Sequence, residues 1–315
     1  MPAVETELLA TLPLDLLRCP ETGEGLIAVD HGLVTPSGRR YRSTPNGIPL
    51  FAEQPVVEDT QWQMAHYDKL ATAYEANLGY PHTQAYFSHL DEALLGAVDG
   101  GPLGVVIEVC CGMGEAFKLL STRYDRGIGI DISQAMLSRA QVATADAPVT
   151  FVQGDATRLP IVDGCADMVV TLGGIHHIND RAALFKEVAR VLKPGGRFVY
   201  REPLNDFALW RWLRAAIYRI SPMLDAQTER PLRRTETARA LAQAGLVSTR
   251  WTTHGLLGFC LFMNSDVLVF NRLFRFVPRI SAIARAAAKF DDWALRLPGL
   301  RSAGLQVIGV AEKPK

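Results

Sequence analysis

From residue 105 to residue 201 the chain alternates apolar runs with amphipathic ones. The first three apolar runs each close on or beside an acid: Glu108 in GVVIEV, Asp131 in GIGID and Asp155 in FVQGDA. The runs 105–109, 127–130, 149–153, 166–172 and 197–201 predict strands. The segments 115–124, 133–144 and 181–192 predict helices between them. Strands that are apolar throughout and joined by helices pack as a parallel sheet with both faces covered. Two further strand runs, 246–251 and 305–311, bring the expected sheet to seven. The expected fold is therefore α/β, a doubly wound, mostly parallel seven-stranded sheet.

The flanks read differently. Residues 14–51 are punctuated by Gly, Pro, Ser and Asn every few positions, and they predict a small β-rich N-terminal unit over 1–58. Residues 54–59 read as a linker. The remainder, 59–315, is the expected main domain, opening with helices over 61–75 and 82–95. Apolar residues at helical spacing return in cap segments near 204–234 and 254–300, the latter with helices over 256–276 and 280–297. A helical insertion is thus expected before the last strand. Thr235 is the expected cap of a helix ending at Gly245.

Charge balances overall, with 33 Lys+Arg and 33 Asp+Glu, but not along the chain. Residues 1–200 hold 15 basic against 24 acidic side chains, and residues 201–315 hold 18 against 9. The basic C-terminal part either meets something anionic or forms an ordinary solvated face. Five scattered cysteines make no disulfide framework and point to a reducing compartment. The opening residues carry acids where a secretion signal needs positive charge. The apolar stretch 255–276 is broken by Asn264, Asp266, Asn271 and Arg272, so it is not expected to span a membrane. A cytoplasmic location is the expectation.

The turn after the first main-domain strand, EVCCGMG (108–114), is neither the dinucleotide pattern G-x-G-x-x-G nor a P-loop. Gly112 and Gly114 allow a ligand close to the backbone, beside the free N–H groups of the next helix. Asp131 lies 19 residues beyond Gly112, about the spacing at which an acid reaches a ribose diol in doubly wound folds. Three acids at successive strand ends, without a basic phosphate clamp, describe a site for a nucleoside bearing positive charge. Cys110 and Cys111 lack the partners of a tetrahedral metal site and are read as packing.

With these motifs the chain resembles the class I S-adenosylmethionine-dependent methyltransferases, over roughly residues 60–251 and the last strand. EVCCGMG stands at the family's first glycine motif, Asp131 at its ribose-binding acid and GDA (154–156) at its adenine-edge motif. LPIVDGCAD (159–167) followed by VLKPGGRF (191–198) matches its fourth and fifth strands. The resemblance implies a Rossmann-like fold and S-adenosyl-L-methionine as cofactor. It implies a site made by Glu108, Gly112, Gly114, Asp131, Ile132, Asp155, Ala156 and Leu172, with Tyr67 or Tyr74 closing over it. RCPETGEGL (18–26) and GRRYRSTPNGIPL (38–50) resemble the zinc-ribbon-like domain that accompanies several methyltransferases. Thr22 stands where that pattern has its second cysteine, so the unit reads as a degenerate, metal-free remnant.

Methyl transfer is an in-line displacement at a sulfonium, which needs alignment, a shielded pocket and often a base. GGIHHIND (173–180), after the fourth strand, offers His176 and His177, and imidazole titrates near neutrality. His176, nearer the strand end, is the first candidate. Glu202, after the fifth strand, could orient an acceptor or hold a metal bridging a diphosphate; for all three a structural role is the alternative. FALWRWLRAAIYRI (207–220) and GLLGFCLFMNSDVLVFNRLFRF (255–276) interleave aromatics with arginines. They suit an apolar acceptor pocket, a homodimer face or a peripheral membrane contact. The expected acceptor is a small apolar metabolite (lipid, quinone, terpenoid or polyketide-like), with an anionic group left open. Residues 1–58 lack a basic stripe with exposed aromatics, so nucleic acid is not the expected partner. RNA methylation and a non-catalytic cofactor-binding role are the alternatives.

Overall fold

The computed structural model describes residue 9 and residues 11–52, 79–98, 101–213, 230–263 and 269–315. The helix expected over 61–75, with Tyr67 and Tyr74, lies outside the described residues. Three short strands, β1 (Ile27–Val29), β2 (Gly32–Val34) and β3 (Arg40–Arg42), form an antiparallel N-terminal sheet. Gly32 sits where β2 crowds β3: a Cβ there would stand 2.0 Å from the Tyr41 carbonyl oxygen. Cys19 is buried, with its sulfur 2.9 Å from the Tyr41 hydroxyl and accepting the Thr22 N–H at 3.3 Å. Among the described residues no group of three or more metal-ligating side chains occurs.

The main sheet comprises β4 (Leu103–Val109), β5 (Tyr124–Asp131), β6 (Val149–Gln153), β7 (Ala166–Leu172), β8 (Leu192–Pro203), β9 (Val247–His254) and β10 (Gln306–Glu312). Their spatial order is β6-β5-β4-β7-β8-β10-β9, with β10 antiparallel to both neighbours and the other pairs parallel. The chain runs outward from β4 to β6, then returns to the other side of β4 as β7. Such a reversal opens a crevice at the carboxyl ends of the strands, where ligands bind.

Helices α1 (Pro81–Leu95), α2 (Glu115–Leu120), α3 (Gln134–Ala143), α4 (Arg181–Val191) and α5 (Arg234–Gln243) flank the sheet. The two-residue alternation of β4 sorts its side chains between faces. Val105, Ile107 and Val109 join a core with Leu184 and Phe185 of α4 and with Leu17 and Leu33 of the N-terminal unit. Val106 joins Phe117 and Leu137 from α2 and α3. The N-terminal unit also covers the β6 edge. Phe51 N–H donates to the Gln153 carbonyl, and Gln153 N–H to that of Pro49, both at 2.9 Å. An otherwise open sheet edge is thereby paired.

The expected insertion separates β9 from β10, and its second helix lies where expected, as α7 (Ile280–Ala294). Ahead of it, the described residues form α6 (Leu257–Met263) and a 3₁₀ helix (Val269–Phe276) in place of one long α-helix. Asp291 of α7 is fully buried and ties this region together. It accepts from the Tyr86 hydroxyl at 2.7 Å and from the N–H groups of Leu256, Gly258 and Phe259 at 2.8, 3.1 and 3.0 Å. One carboxylate thus satisfies orphan donors at the start of α6.

Three expected boundaries shift for local reasons. Helix α2 stops at Leu120 because Ser121 takes a left-handed φ of 50°, and β5 already begins at Tyr124. Strand β8 starts at Leu192, which pairs with Ala166 before the register shifts across Lys-Pro-Gly-Gly. Thr235 does not cap α5. The helix begins one residue earlier, and Asp206, from the loop after β8, accepts the Arg234 N–H at 2.9 Å.

Candidate active site

At the switch point a cavity of about 490 Å³ opens among the ends of β4, β5, β6 and β7. Glu108, Gly112, Asp131, Ile132, Asp155, Ala156 and Leu172 line it, and so does His177. The turn that carries it is tightly wound: Cys110, Gly112 and Gly114 have φ of 55°, 49° and 72°. Glycine tolerates this region freely and cysteine does not, so Cys110 is held there by its surroundings. Gly114, expected against the cofactor, is not in the lining. Its left-handed φ serves the turn, and a Cβ there would meet the Phe151 ring at 3.3 Å.

The acids differ in how they are used. Glu108 is almost fully buried. Its Oε1 accepts the Ala116 N–H at 3.0 Å, capping α2, while Oε2 has no hydrogen-bond partner among the described residues. Burial pushes its pKa well above the usual carboxylate range. Asp131 accepts the N–H groups of Gly112 and Ser133 at 2.8 and 2.9 Å, which joins the ends of β4 and β5. Asp155 accepts the Thr157 N–H and hydroxyl at 2.8 and 2.7 Å. Glu115 and Asp180 complete an acidic lining that, among the described residues, contains no lysine or arginine. Cys110 and Cys111, read from the sequence as packing, also line the cavity, and burial raises both thiols well above their ordinary value.

Glu202 is completely buried at the end of β8 and is committed to the loop after β7. Its Oε1 accepts the N–H groups of Gly174 and Ile175, both at 2.8 Å. Its Oε2 accepts the His176 N–H at 3.3 Å and lies 2.8 Å from His176 Nδ1. Burial pushes the Glu202 pKa up to about 7, against the pull of those N–H groups. Neither Glu202 nor His176 lines the cavity; His177 does, its ring 3.8 Å from that of His176. His176 and Glu202, both expected on the acceptor side, are thus set outside this cavity, with His176 Nδ1 and the Glu202 carboxylate engaged with each other and with the loop backbone. Gly174 completes the junction: a Cβ on it would stand 2.3 Å from that of Cys110.

Met113, Met136, Asn179 and Asp180 also line the cavity and were not singled out from the sequence. Asp180 had a signal. It sits just before the amphipathic run of α4 and caps that helix, accepting the Ala183 N–H at 2.9 Å. Met136 had none, since its 3.6-residue period marks it only as buried.

The domain is α/β, a seven-stranded sheet with one antiparallel strand and an acid-lined cavity at its switch point. A family model described as a methyltransferase domain matches residues 107–200, from β4 into β8. An uncharacterized methyltransferase of Synechocystis sp. is 32% identical over 148 residues, covering 46% of this chain and 68% of that relative. The chain belongs to the class I S-adenosylmethionine-dependent methyltransferase family. It is also 28% identical over 185 residues to a 2-methyl-6-phytyl-1,4-hydroquinone methyltransferase of Synechocystis sp., 55% of this chain and 56% of that one. In fold it is similar to a chain from the complex between the Haloferax volcanii Trm112 methyltransferase activator and a methyltransferase. That match has a TM-score of 0.55 at 20% identity, covering 80% of this chain and 97% of that one. The chain spans between 33% and 56% of the length of the first curated relatives it matches.

Proposed function

We propose that this chain binds S-adenosyl-L-methionine in the acid-lined cavity and transfers its methyl group to a small apolar acceptor. The observation that carries the reading is the charge of the lining, five carboxyl side chains with no described lysine or arginine. Of the five only Glu108 is buried, and a buried carboxylate is costly unless a cation answers it. The Glu108 Oε2, buried without a partner among the described residues, suits an ammonium group. Asp131 and Asp155, at the ends of β5 and β6, suit ribose hydroxyls and an adenine edge. The residues present therefore fit this cofactor, and a phosphate-rich nucleotide would be repelled. When bound, the cofactor supplies an electrophilic methyl group on a sulfonium.

The chain's own contribution is alignment, exclusion of water and, at His177, removal of a proton. His177 is favoured as base because it lines the cavity. Glu202 and His176 act as positioning residues that hold loop 173–177 against the turn at Cys110. Support for an apolar acceptor comes from Met113, Met136, Leu172 and Ile178 in the lining, and from a relative named for a phytyl hydroquinone.

The test is a labelled-methyl assay over hydroquinones, polyketides and isoprenoids, with His177→Ala beside the wild type. The variant should keep cofactor affinity, while turnover falls roughly 10²–10⁴-fold. Unchanged turnover would remove His177 as base. Methylation of RNA alone would replace the acceptor class, and cofactor binding without turnover on any acceptor would replace catalysis.

A further inference from the structure

The 3₁₀ helix Val269–Phe276 has three residues per turn, so positions three apart stack in rows. One row, Phe270, Leu273 and Phe276, is 53%, 63% and 71% exposed. A second row turns inward: Asn271 is fully buried and donates to the Leu261 carbonyl at 3.0 Å, and Phe274 packs on His82 and Phe262. The third row is Arg272 and Arg275, the latter lying over the Phe276 ring at 4.8 Å. Helix α7 repeats the scheme at 100° per residue. Ala284, Ala288 and Asp291 face inward, Ile283, Phe290 and Trp293 form an exposed apolar stripe, and Arg285 and Lys289 mark the remaining side.

The charges of this region point one way. Residues 269–301 contain seven Lys+Arg and two acids, Asp291 and Asp292. Asp291 is buried on the start of α6, and Asp292 is engaged by His89 and His254 at 2.8 and 2.9 Å. The outward surface is therefore apolar and cationic together. A second copy meeting this face symmetrically would set cation against cation. Nucleic acid answers the cations but not Leu273 or Ile283, which cannot stack on bases. An anionic lipid surface answers both, with apolar side chains among the headgroups and basic ones on the phosphates.

We propose that the outer face of the insertion, built on Phe270, Leu273, Phe276 and the α7 stripe, docks the protein on anionic phospholipid bilayers. Docking is peripheral, since no described helix is long and apolar enough to cross a membrane. It does not depend on methyl transfer, and its test does not read activity.

The test is co-sedimentation of the full chain with vesicles of phosphatidylcholine, with or without about 30% phosphatidylglycerol. Binding should be roughly tenfold or more tighter to the anionic vesicles and should weaken in about 0.5 M salt. The double variant Phe270→Ser/Phe276→Ser should lose roughly tenfold or more of that affinity, with melting temperature and cofactor affinity unchanged. Arg275→Gln/Lys289→Gln should lose chiefly the preference for anionic lipid. The proposal is overturned if the folded wild type ignores both vesicles, or if the Phe270→Ser/Phe276→Ser protein binds as well as wild type. It is equally overturned if the protein is a dimer that this variant splits, or if it retains RNA and not lipid.

Discussion

Buried acids do opposite work at the two ends of this molecule. At the switch point Glu108 keeps one oxygen without a partner among the described residues, and burial drives its pKa up. In the insertion Asp291 spends its carboxylate on four donors. Burial alone would raise the Asp292 pKa, but hydrogen bonds from His254 and His89 outweigh it and hold the value below the ordinary 3.8. The contrast separates the proposed cation site from a scaffold already satisfied within the chain. Substituting the first should cost ligand, and substituting the second should cost stability.

The largest effect should follow Asp291→Ala, which strands a hydroxyl and three N–H groups in the interior. The expected loss is about 3–5 kcal/mol, read as a shifted denaturant midpoint. The protein that remains folded should bind cofactor normally. An unshifted midpoint would break the comparison on the scaffold side.

Asp131→Ala should weaken S-adenosylmethionine binding about ten- to hundredfold, the roughly 1.5–3 kcal/mol of charge-assisted hydrogen bonds. Calorimetry on the folded variant measures it. Full affinity without the carboxylate would mean that the acid row is structural after all.

Smaller and pH-dependent is Asp292→Asn, expected to cost on the order of 1 kcal/mol. Because the folded pKa is depressed, the stabilisation is complete above the unfolded value of 3.8 and fades as pH falls through the lower folded value. The gap in melting temperature between wild type and variant should therefore close as pH falls below the unfolded value of 3.8. A gap that widens instead would reverse the sign assigned to this cluster.

The smallest signal should come from Glu108, whose raised pKa means that a bound cation favours its ionised form. Cofactor binding should release a fraction of a proton and tighten as pH rises. Calorimetry in buffers of different ionisation enthalpy reads it, and Glu108→Gln should abolish the release. A release that survives in the Gln variant would assign it to another group.

Much of the fold, and the convergence of three strand-end acids on one cavity, was legible from spacing. Apolar runs, an acid at or beside each strand end and two glycines in one turn are local facts. Glu108, Asp131 and Asp155 arrive at one cavity because parallel strands align their carboxyl ends, so chain position along each strand sets position in space. The insertion before the last strand was legible for the same reason, since helical periodicity is also a local property.

Where an outcome depended on a distant partner, the sequence was silent. His176 and His177 are neighbours on a 3₁₀ turn, Ile175–His177, and successive residues there point about 120° apart. Both cannot face the cavity, and the choice is made by Glu202, which takes His176 from another strand. Thr235 looked like a cap until Asp206 supplied one from a different loop. Cys19 set its sulfur against the Tyr41 hydroxyl, and within the apolar run 256–276 a 3₁₀ helix left Phe270, Leu273 and Phe276 outside. Period and strand-end chemistry were determined by the sequence itself, because they need only covalent neighbours. Side-chain direction, caps and the division between core and exposed face were decided by tertiary packing, because each depends on which distant group arrives first at the available hydrogen bond or apolar surface.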